Sequence, residues 1–157
     1  PVDGTPIVHN RRVQAGLRNR ARVLVAAADH PVGMTIPQNP TRAEIGARGE
    51  QLAVEHLEAL GMHVLARNWR CRYGELDIIA TDPSGRMVVF VEVKTRTGDG
   101  FGGLPEAVTA DKVRRIRRLA SLWLMQQEKR WPALRLDVIG VRLQPQKTEI
   151  RHLKGVG

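Results

Sequence analysis

Two dense apolar segments joined by a short turn constrain the fold of this chain more than any other feature. Leu76–Thr81 and Met87–Lys94 are rich in β-branched residues, and Asp82-Pro83-Ser84-Gly85 between them has the composition of a turn. The pattern predicts a buried antiparallel hairpin in which residues whose numbers sum to about 168–170 lie opposite one another.

Helical and strand patterns flank this hairpin on both sides. Thr41 and Glu44 form a capping-box pattern at the start of the first helix, and Gly61 is a suitable residue to end it. The predicted elements are, in order, helix 41–60, strands 62–68, 76–81 and 87–94, helix 109–130, and strands 134–143 and 148–153. This α-β-β-β-α-β-β order predicts an α/β domain with a mixed β-sheet flanked by helices.

Residues 1–40 differ in composition from residues 41–157. They contain five arginines but only two acids, and turn-forming residues crowd both ends. We expect a basic, disordered N-terminal extension before a folded domain of residues 41–157. A short helix around Val13–Ala28, an organellar transit peptide and a start at Met34 are alternatives. A secretory signal is disfavoured, because the apolar stretch Val23–Ala28 is shorter than the ~7–15 residues required.

The charge balance indicates a polyanionic partner. The chain carries 25 basic and 16 acidic residues, a net charge of +9, and residues 41–157 alone have a net charge of +6. Such an excess favours nucleic acid or an anionic membrane surface, although small domains often carry about 2–8 charges for solubility alone. No segment approaches the ~18 apolar residues of a membrane span. The single cysteine, Cys71, excludes an internal disulfide and is consistent with a cytoplasmic location.

Three charged residues interrupt the predicted hairpin. Glu92 and Lys94 project to the same side at the end of one strand, and the expected register places Asp77 of the other strand beside Glu92. Two carboxylates that lie side by side repel each other unless a cation lies between them. Carboxylate oxygens are ligands that suit Mg²⁺ or Mn²⁺. An edge-strand ion pair would explain any one of these residues, but the three together favour a functional site.

Glu50 is a candidate third acid. Its helical neighbours at i+3, i+4 and i+7 are apolar, so it lies on the buried stripe of the first helix. Gly46 and Gly49 beside it would allow another group to approach the helix closely.

Five blocks of sequence carry a family resemblance. They are Gly49-Glu50, Asn68-Trp69-Arg70, Gly74 to Ala80, Phe90 to Arg96, and Asp137 to Val141. Asp77 followed by Glu92-Val93-Lys94 resembles the PD-(D/E)xK nuclease superfamily, which includes type II restriction enzymes and archaeal Holliday-junction resolvases. The blocks together resemble the bacterial YraN-like (UPF0102) family, over about residues 41–157.

The resemblance implies a restriction-endonuclease-like core and a role for each matching residue. Asp77, Glu92 and the backbone carbonyl of Val93 would bind the metal ion, and Glu50 would complete its coordination directly or through water. Lys94 would orient the attacking water or stabilise charge on the scissile phosphate. These roles fit the ability of a metal ion to lower the pKa of water and neutralise developing charge.

A basic helix would hold the nucleic acid beside these residues. The second predicted helix opens with a cluster of cations and follows the glycine-rich loop Gly98–Gly103, which leaves the strand of Lys94. The candidate phosphate contacts are Lys112, Arg114, Arg115, Arg117 and Arg118, extended by Arg72 and Arg96. Aromatic residues are sparse, so base stacking is not predicted, and Trp69 is interpreted as a core residue.

The sequence therefore favours a metal-dependent endonuclease that acts on DNA in preference to RNA. A nucleic-acid-binding protein of the same fold with little or no catalysis is the alternative, and an RNA-processing accessory protein is a third. Asp137 could support the site or pair with Arg135, and His56, His63 and His152 show no ligand spacing. The substrate structure and the oligomeric state are left open, including a homodimer.

Overall fold

The computed structural model describes residues 39–98 and 108–156, together with the backbone of residues 22–28. The strands are β1 (Arg22–Ala28), β2 (His63–Cys71), β3 (Gly74–Thr81), β4 (Met87–Thr97), β5 (Ala133–Leu143) and β6 (Thr148–Lys154). The helices are α1 (Arg42–Ala59) and α2 (Ala110–Met125). Neither helix is long and apolar enough to cross a membrane.

One mixed sheet of six strands organises these elements. Its order is β1-β6-β5-β4-β3-β2, in which β4 and β5 are parallel and the other neighbours are antiparallel. The predicted α/β class and the order of the elements from α1 to β6 are confirmed.

The two helices cover opposite faces of the sheet. Leu52 and Leu57 of α1 pack against Ile78 and Val91, whereas residues of α2 pack against Phe90 and its neighbours. Alternate residues of β4 enter the two clusters, as the two-residue period of a strand requires. Burial of both faces explains why the central strands are almost continuously apolar.

Local chemistry sets the limits of several elements. Thr41 and Glu44 form the predicted capping box at the start of α1. Asp82 organises the β3–β4 turn, because its side chain accepts hydrogen bonds from the amides of Arg86 and Met87, at 3.0 and 2.8 Å. The second helix ends at Met125, five residues before the predicted Arg130. Its buried stripe ends at Trp123, so packing no longer supports the polar residues that follow.

Strand β1 differs from the sequence-based expectation for residues 1–40. Arg22 to Ala28 pair antiparallel with β6, from Lys154 back to Thr148. These seven residues therefore extend the sheet and are not part of a helix around Val13–Ala28 or of a disordered extension. The rest of the predicted extension, residues 1–21 and 29–38, lies outside the described residues.

Candidate functional site

The candidate site lies where β3 and β4 stop pairing. The paired residues run from Thr81 opposite Val88 to Ile78 opposite Val91, and their numbers agree with the predicted sum of about 168–170. One residue further, the Asp77 carboxylate accepts a hydrogen bond from the backbone amide of Val93, with Oδ2 2.7 Å from the nitrogen. An aspartate side chain thus takes the place of a backbone acceptor, and its charge is held at the end of the hairpin.

Asp77 is surrounded by other acids. The pKa of its carboxyl is raised to about 6, first by burial, then by the charge of Glu92, and to a smaller extent by the charges of Glu50 and Glu75. The hydrogen bond from Val93 acts in the opposite direction and favours the ionised form. The predicted proximity of Asp77 and Glu92 is thus present, and Glu50 is close enough to contribute.

Glu92 is held by two ammonium groups. Its side chain is only 10% exposed, and Oε1 lies 2.6 Å from Nζ of Lys112 and 3.5 Å from Nζ of Lys94. Burial lowers the pKa of Lys112, and the neighbouring Lys94 lowers it further, whereas Glu92 opposes both effects. Lys112 therefore lies beside Asp77, Glu92 and Glu50, which we call the acid cluster. The sequence had placed it instead among the exposed cations of α2.

Glu50 is positioned by a residue to which the sequence reasoning gave no role. Nδ2 of Asn68 in β2 donates a hydrogen bond to Oε2 of Glu50, at 2.9 Å. Asn68 has a φ of 50°, the left-handed conformation that asparagine tolerates better than most residues. Nothing in the local pattern of β2 indicates this backbone conformation, so the contact could not be read from the sequence.

An open cavity of about 570 Å³ borders Glu50 and the end of β4. Gly46 lines it, and nothing lies within 4 Å of where its side chain would be. At Gly49, by contrast, a Cβ atom would collide with the side chain of Thr95, so α1 packs directly on β4. The close approach predicted beside Glu50 is therefore made by β4 itself. The cavity is lined by Arg42, Ile45, Gly46, Glu50 and the segment from Val93 to Thr97, which includes Lys94 and Arg96.

The remaining predicted cations lie mainly on the exposed side of α2. Arg114, Arg115 and Arg118 line a second cavity of about 270 Å³ with Tyr73 and Leu119. The guanidinium carbons of Arg118 and Arg72 lie 4.1 and 4.6 Å from the centre of the Tyr73 ring. Arg117 is exposed and does not line this cavity. Trp69 packs against the hydrophobic core, as predicted. Apart from Gly98, the glycine-rich loop lies outside the described residues.

Asp137 belongs to a separate, buried network. It is fully buried, and it accepts hydrogen bonds from Arg135, the amide of Gly155 and the ring of His152. Nδ1 of His152 lies 3.2 Å from Nε2 of His56, so two of the scattered histidines come together. Of the two roles considered for Asp137, pairing with Arg135 is the one that the structure contains.

The donor atoms near Asp77 suit a hard divalent cation, but they do not form a preassembled coordination shell. Carboxylate and carbonyl oxygens are the ligands that Mg²⁺ and Mn²⁺ prefer. Within residues 39–98 and 108–156, no group of three or more histidines, cysteines or acids converges in a metal-binding arrangement. A cation would therefore draw Glu92 from its lysines or Glu50 from Asn68.

Comparisons with known proteins identify relatives over most of the chain. The family described as "Uncharacterised protein family UPF0102" matches residues 49–141. A UPF0102 protein of Mycobacterium avium (strain 104) is 64% identical over 125 residues, which cover 79% of this chain and 98% of the relative. Another, from Mycobacterium bovis (strain BCG / Pasteur 1173P2), is 60% identical over 128 residues, which cover 79% of this chain and 100% of the relative.

A search of solved structures found Pyrococcus furiosus SfsA in complex with Ca²⁺. The match has a TM-score of 0.35 and 15% sequence identity, and covers 69% of this chain and 63% of that one. A likeness at this level carries no argument about function.

Proposed function

The chain belongs to the UPF0102 family, and we propose that it is a metal-dependent hydrolase of nucleic-acid phosphodiesters, an endonuclease that prefers DNA to RNA. The single observation that carries this proposal is the junction of Asp77, Glu92 and Lys94 where β3 and β4 separate. A carboxylate whose pKa is raised by burial and by a neighbouring carboxylate, with an ammonium group close by, forms an arrangement suited to a cation and a phosphate.

Asp77, Glu92 and the carbonyl of Val93 are the residues that would hold Mg²⁺ or Mn²⁺, with Glu50 as a further ligand. When bound, such an ion lowers the pKa of water and offsets negative charge on the phosphate. Asn68 holds the Glu50 carboxylate in place before binding.

Lys94 and Lys112 supply positive charge at the reacting phosphate. In hydrolysis, the oxygen of a water molecule forms a bond to phosphorus, and the bond to the departing sugar oxygen breaks. The water loses a proton and the departing oxygen gains one, while negative charge increases on the phosphate oxygens. An ammonium group within reach stabilises that charge most in the transition state, so it accelerates the reaction more than it tightens binding.

Cations outside the acid cluster would position the nucleic-acid strand. Arg96 lines the cavity next to Glu50, and Arg114, Arg115 and Arg118 continue along α2 from Lys112. Contacts of this kind recognise the phosphate backbone and carry little sequence information. We therefore propose that the shape of the nucleic acid matters more than its sequence.

The test is a cleavage panel in Mg²⁺ or Mn²⁺ on single-stranded, duplex, flap and four-way-junction substrates, in DNA and RNA forms. The wild type should cleave at least one DNA form, and Lys94→Ala should abolish that cleavage. Its affinity for the same substrate, measured without divalent metal, should fall by no more than the loss of one phosphate contact.

Arg86→Ala is the matched control, because Arg86 is exposed in the turn at the opposite end of β4. It removes one positive charge without touching the cluster and should leave cleavage unchanged. If neither the wild type nor Arg86→Ala cleaves any substrate, the hydrolase proposal fails.

A binding protein without catalysis is the second candidate function. It is favoured by the two ammonium groups that already neutralise Glu92. On this alternative the acids need no metal, and tight, salt-sensitive binding would occur on every substrate without turnover.

A further inference from the structure

A cavity around the tyrosine at the β2–β3 turn has the composition of a nucleobase site. Tyr73 is half-exposed between Arg72 and Arg118, and the floor of the cavity is the buried side chain of Leu119. At about 270 Å³ it lies just below the ~300–1,000 Å³ of typical small-molecule sites, so it suits one small group. We propose that this cavity binds one unpaired base of the nucleic acid, stacked on the Arg118 guanidinium that covers the Tyr73 ring.

The lining favours a base with its phosphate over a phosphate alone. Guanidinium planes and tyrosine rings are the surfaces on which unpaired bases stack in proteins. Leu119 and the ring supply apolar contact, which a bare phosphate would not use. Arg115 and Arg118 form no ion pair with a carboxylate in the described part of the chain, whereas Arg114 is paired with Asp111. Their charges are thus available to the phosphate that adjoins the base.

The cavity lies at the same end of the sheet as Asp77. β3 begins at Gly74, so the turn is about three residues, or roughly 10 Å, from Asp77 along the strand. On α2, Arg115 and Arg118 follow Lys112, which contacts Glu92, by roughly 5 and 9 Å of helix rise. A stacked strand rises about 3.4 Å per nucleotide, so two or three nucleotides would join the acid cluster to the cavity.

This inference rests on the proposed function and narrows its substrate class. A base can enter the cavity only when it is not paired, because a paired base is enclosed in the helix stack. The preferred substrate is therefore a nucleic acid with an unpaired nucleotide two or three positions from the scissile phosphate, as at an overhang, flap or junction.

Tyr73 is the single tyrosine of the chain, which permits a direct test. With only the tyrosine rings labelled with ¹³C, the full-length protein gives one set of ring signals in NMR spectra. Three ligands are titrated without divalent metal: a duplex with a short single-stranded overhang, the same duplex with an abasic overhang, and a blunt duplex. The ring signals should move with the first ligand and stay nearly fixed with the other two.

Affinity measurements on variants provide the second arm. Tyr73→Ala should weaken binding of the overhang duplex by roughly 5- to 150-fold, the range for loss of one stacked base, with little change for the blunt duplex. Tyr73→Phe keeps the ring and should bind like the wild type. Arg86→Ala, at the other end of the sheet, should do the same.

Two outcomes overturn the inference: ring signals that do not move with any ligand, or signals that move equally with the normal and abasic overhangs. The second would mean that the cavity binds phosphate only. Cleavage assays on the same substrates distinguish a failure of the base site from a failure of the proposed function. Cleavage with an unmoved Tyr73 signal defeats only the base site, and a moved signal without cleavage defeats only the hydrolase.

Discussion

Two aspartates interrupt the apolar pattern of the sheet, Asp77 in β3 and Asp137 in β5, and they differ in their hydrogen bonds and in the charges around them. Asp137 is fully buried, yet it accepts four hydrogen bonds from Arg135, His152 and Gly155. Burial acts to raise its pKa, but these donors outweigh burial and hold the pKa below its ordinary value. Among the described residues, Asp77 accepts one hydrogen bond, from Val93, and burial together with the charges of neighbouring acids raises its pKa to about 6.

The difference separates a structural carboxylate from one available for binding. Asp137 has its partners within the fold, and it ties β5 to β6 and to the segment at Gly155. Asp77 has an unfavourable electrostatic environment, which the cation of the proposed metal site would relieve.

The largest expected effect is on stability. Asp137→Ala leaves Arg135 and His152 without their buried acceptor, so we expect the free energy of unfolding to fall by about 3–5 kcal/mol. Asp77→Ala removes one hydrogen bond but also removes electrostatic repulsion, and should change stability by about 1 kcal/mol or less. Urea denaturation of both variants beside the wild type measures the contrast. Equal losses would mean that Asp77 is as structural as Asp137.

Metal binding should follow the opposite pattern. The wild type should bind Mn²⁺ in a calorimetric titration, and at about 100 times the dissociation constant the ion should add about 2.7 kcal/mol to the free energy of unfolding. Asp77→Ala should lose both effects, because it removes a predicted ligand. Asp137→Asn, which keeps a polar side chain of the same size, is the control and should retain them. Equal Mn²⁺ affinities of the wild type and Asp77→Ala would remove Asp77 from the metal site.

A smaller effect is expected from pH in the region of Asp137. Burial, then the charges of His152 and Lys154, lower the pKa of His56 to about 4. The unfolded chain binds a proton near pH 6.5, so the contribution of neutral His56 is present above pH 6.5 and is lost as the pH falls towards 4. We expect this loss to be on the order of 1–2 kcal/mol, after allowance for partial exposure.

His56→Gln should lack this part of the pH dependence. Because both chains keep every other titrating group, including Asp77, the difference between their unfolding curves from pH 7 to 4 isolates His56. A difference that stays constant with pH would contradict the prediction.

The smallest expected effect concerns how nucleic acid reaches the Asp77 region. Changing both Arg115 and Arg118 to alanine should flatten the dependence of log affinity on log salt concentration by about 0.9 per lost contact on duplex DNA. Binding is measured without divalent metal, so that cleavage does not interfere. Arg86→Ala is the charge-matched control, and an equal flattening in that variant would mean that the contribution of α2 is not specific.

Local chemistry explains what the sequence could predict about this protein. The register of β3 and β4 follows from the length of the turn and the alternation of the strands, and it was sufficient to place Asp77 beside Glu92. The start of α1 follows from a hydrogen-bonded exchange between Thr41 and Glu44, three residues apart. Each of these features depends on residues close in the chain or joined by one short turn.

The tertiary structure alone decided which distant groups complete each region. His56 and His152 are 96 positions apart, and their contact requires α1 to pack on the face of the sheet that carries the His152 side chain. The pairing of Lys112 with Glu92 depends on how α2 packs on the sheet, and the reach of Asn68 to Glu50 depends on a left-handed residue within a strand. Strand β1 was likewise assigned to a disordered extension, because residues 1–40 as a whole are basic and rich in turn-forming residues, and its hydrogen-bonding partner, β6, lies more than 100 residues away in the chain. Contacts of this kind gain their free energy from the packing of whole elements, which no local pattern of residues encodes.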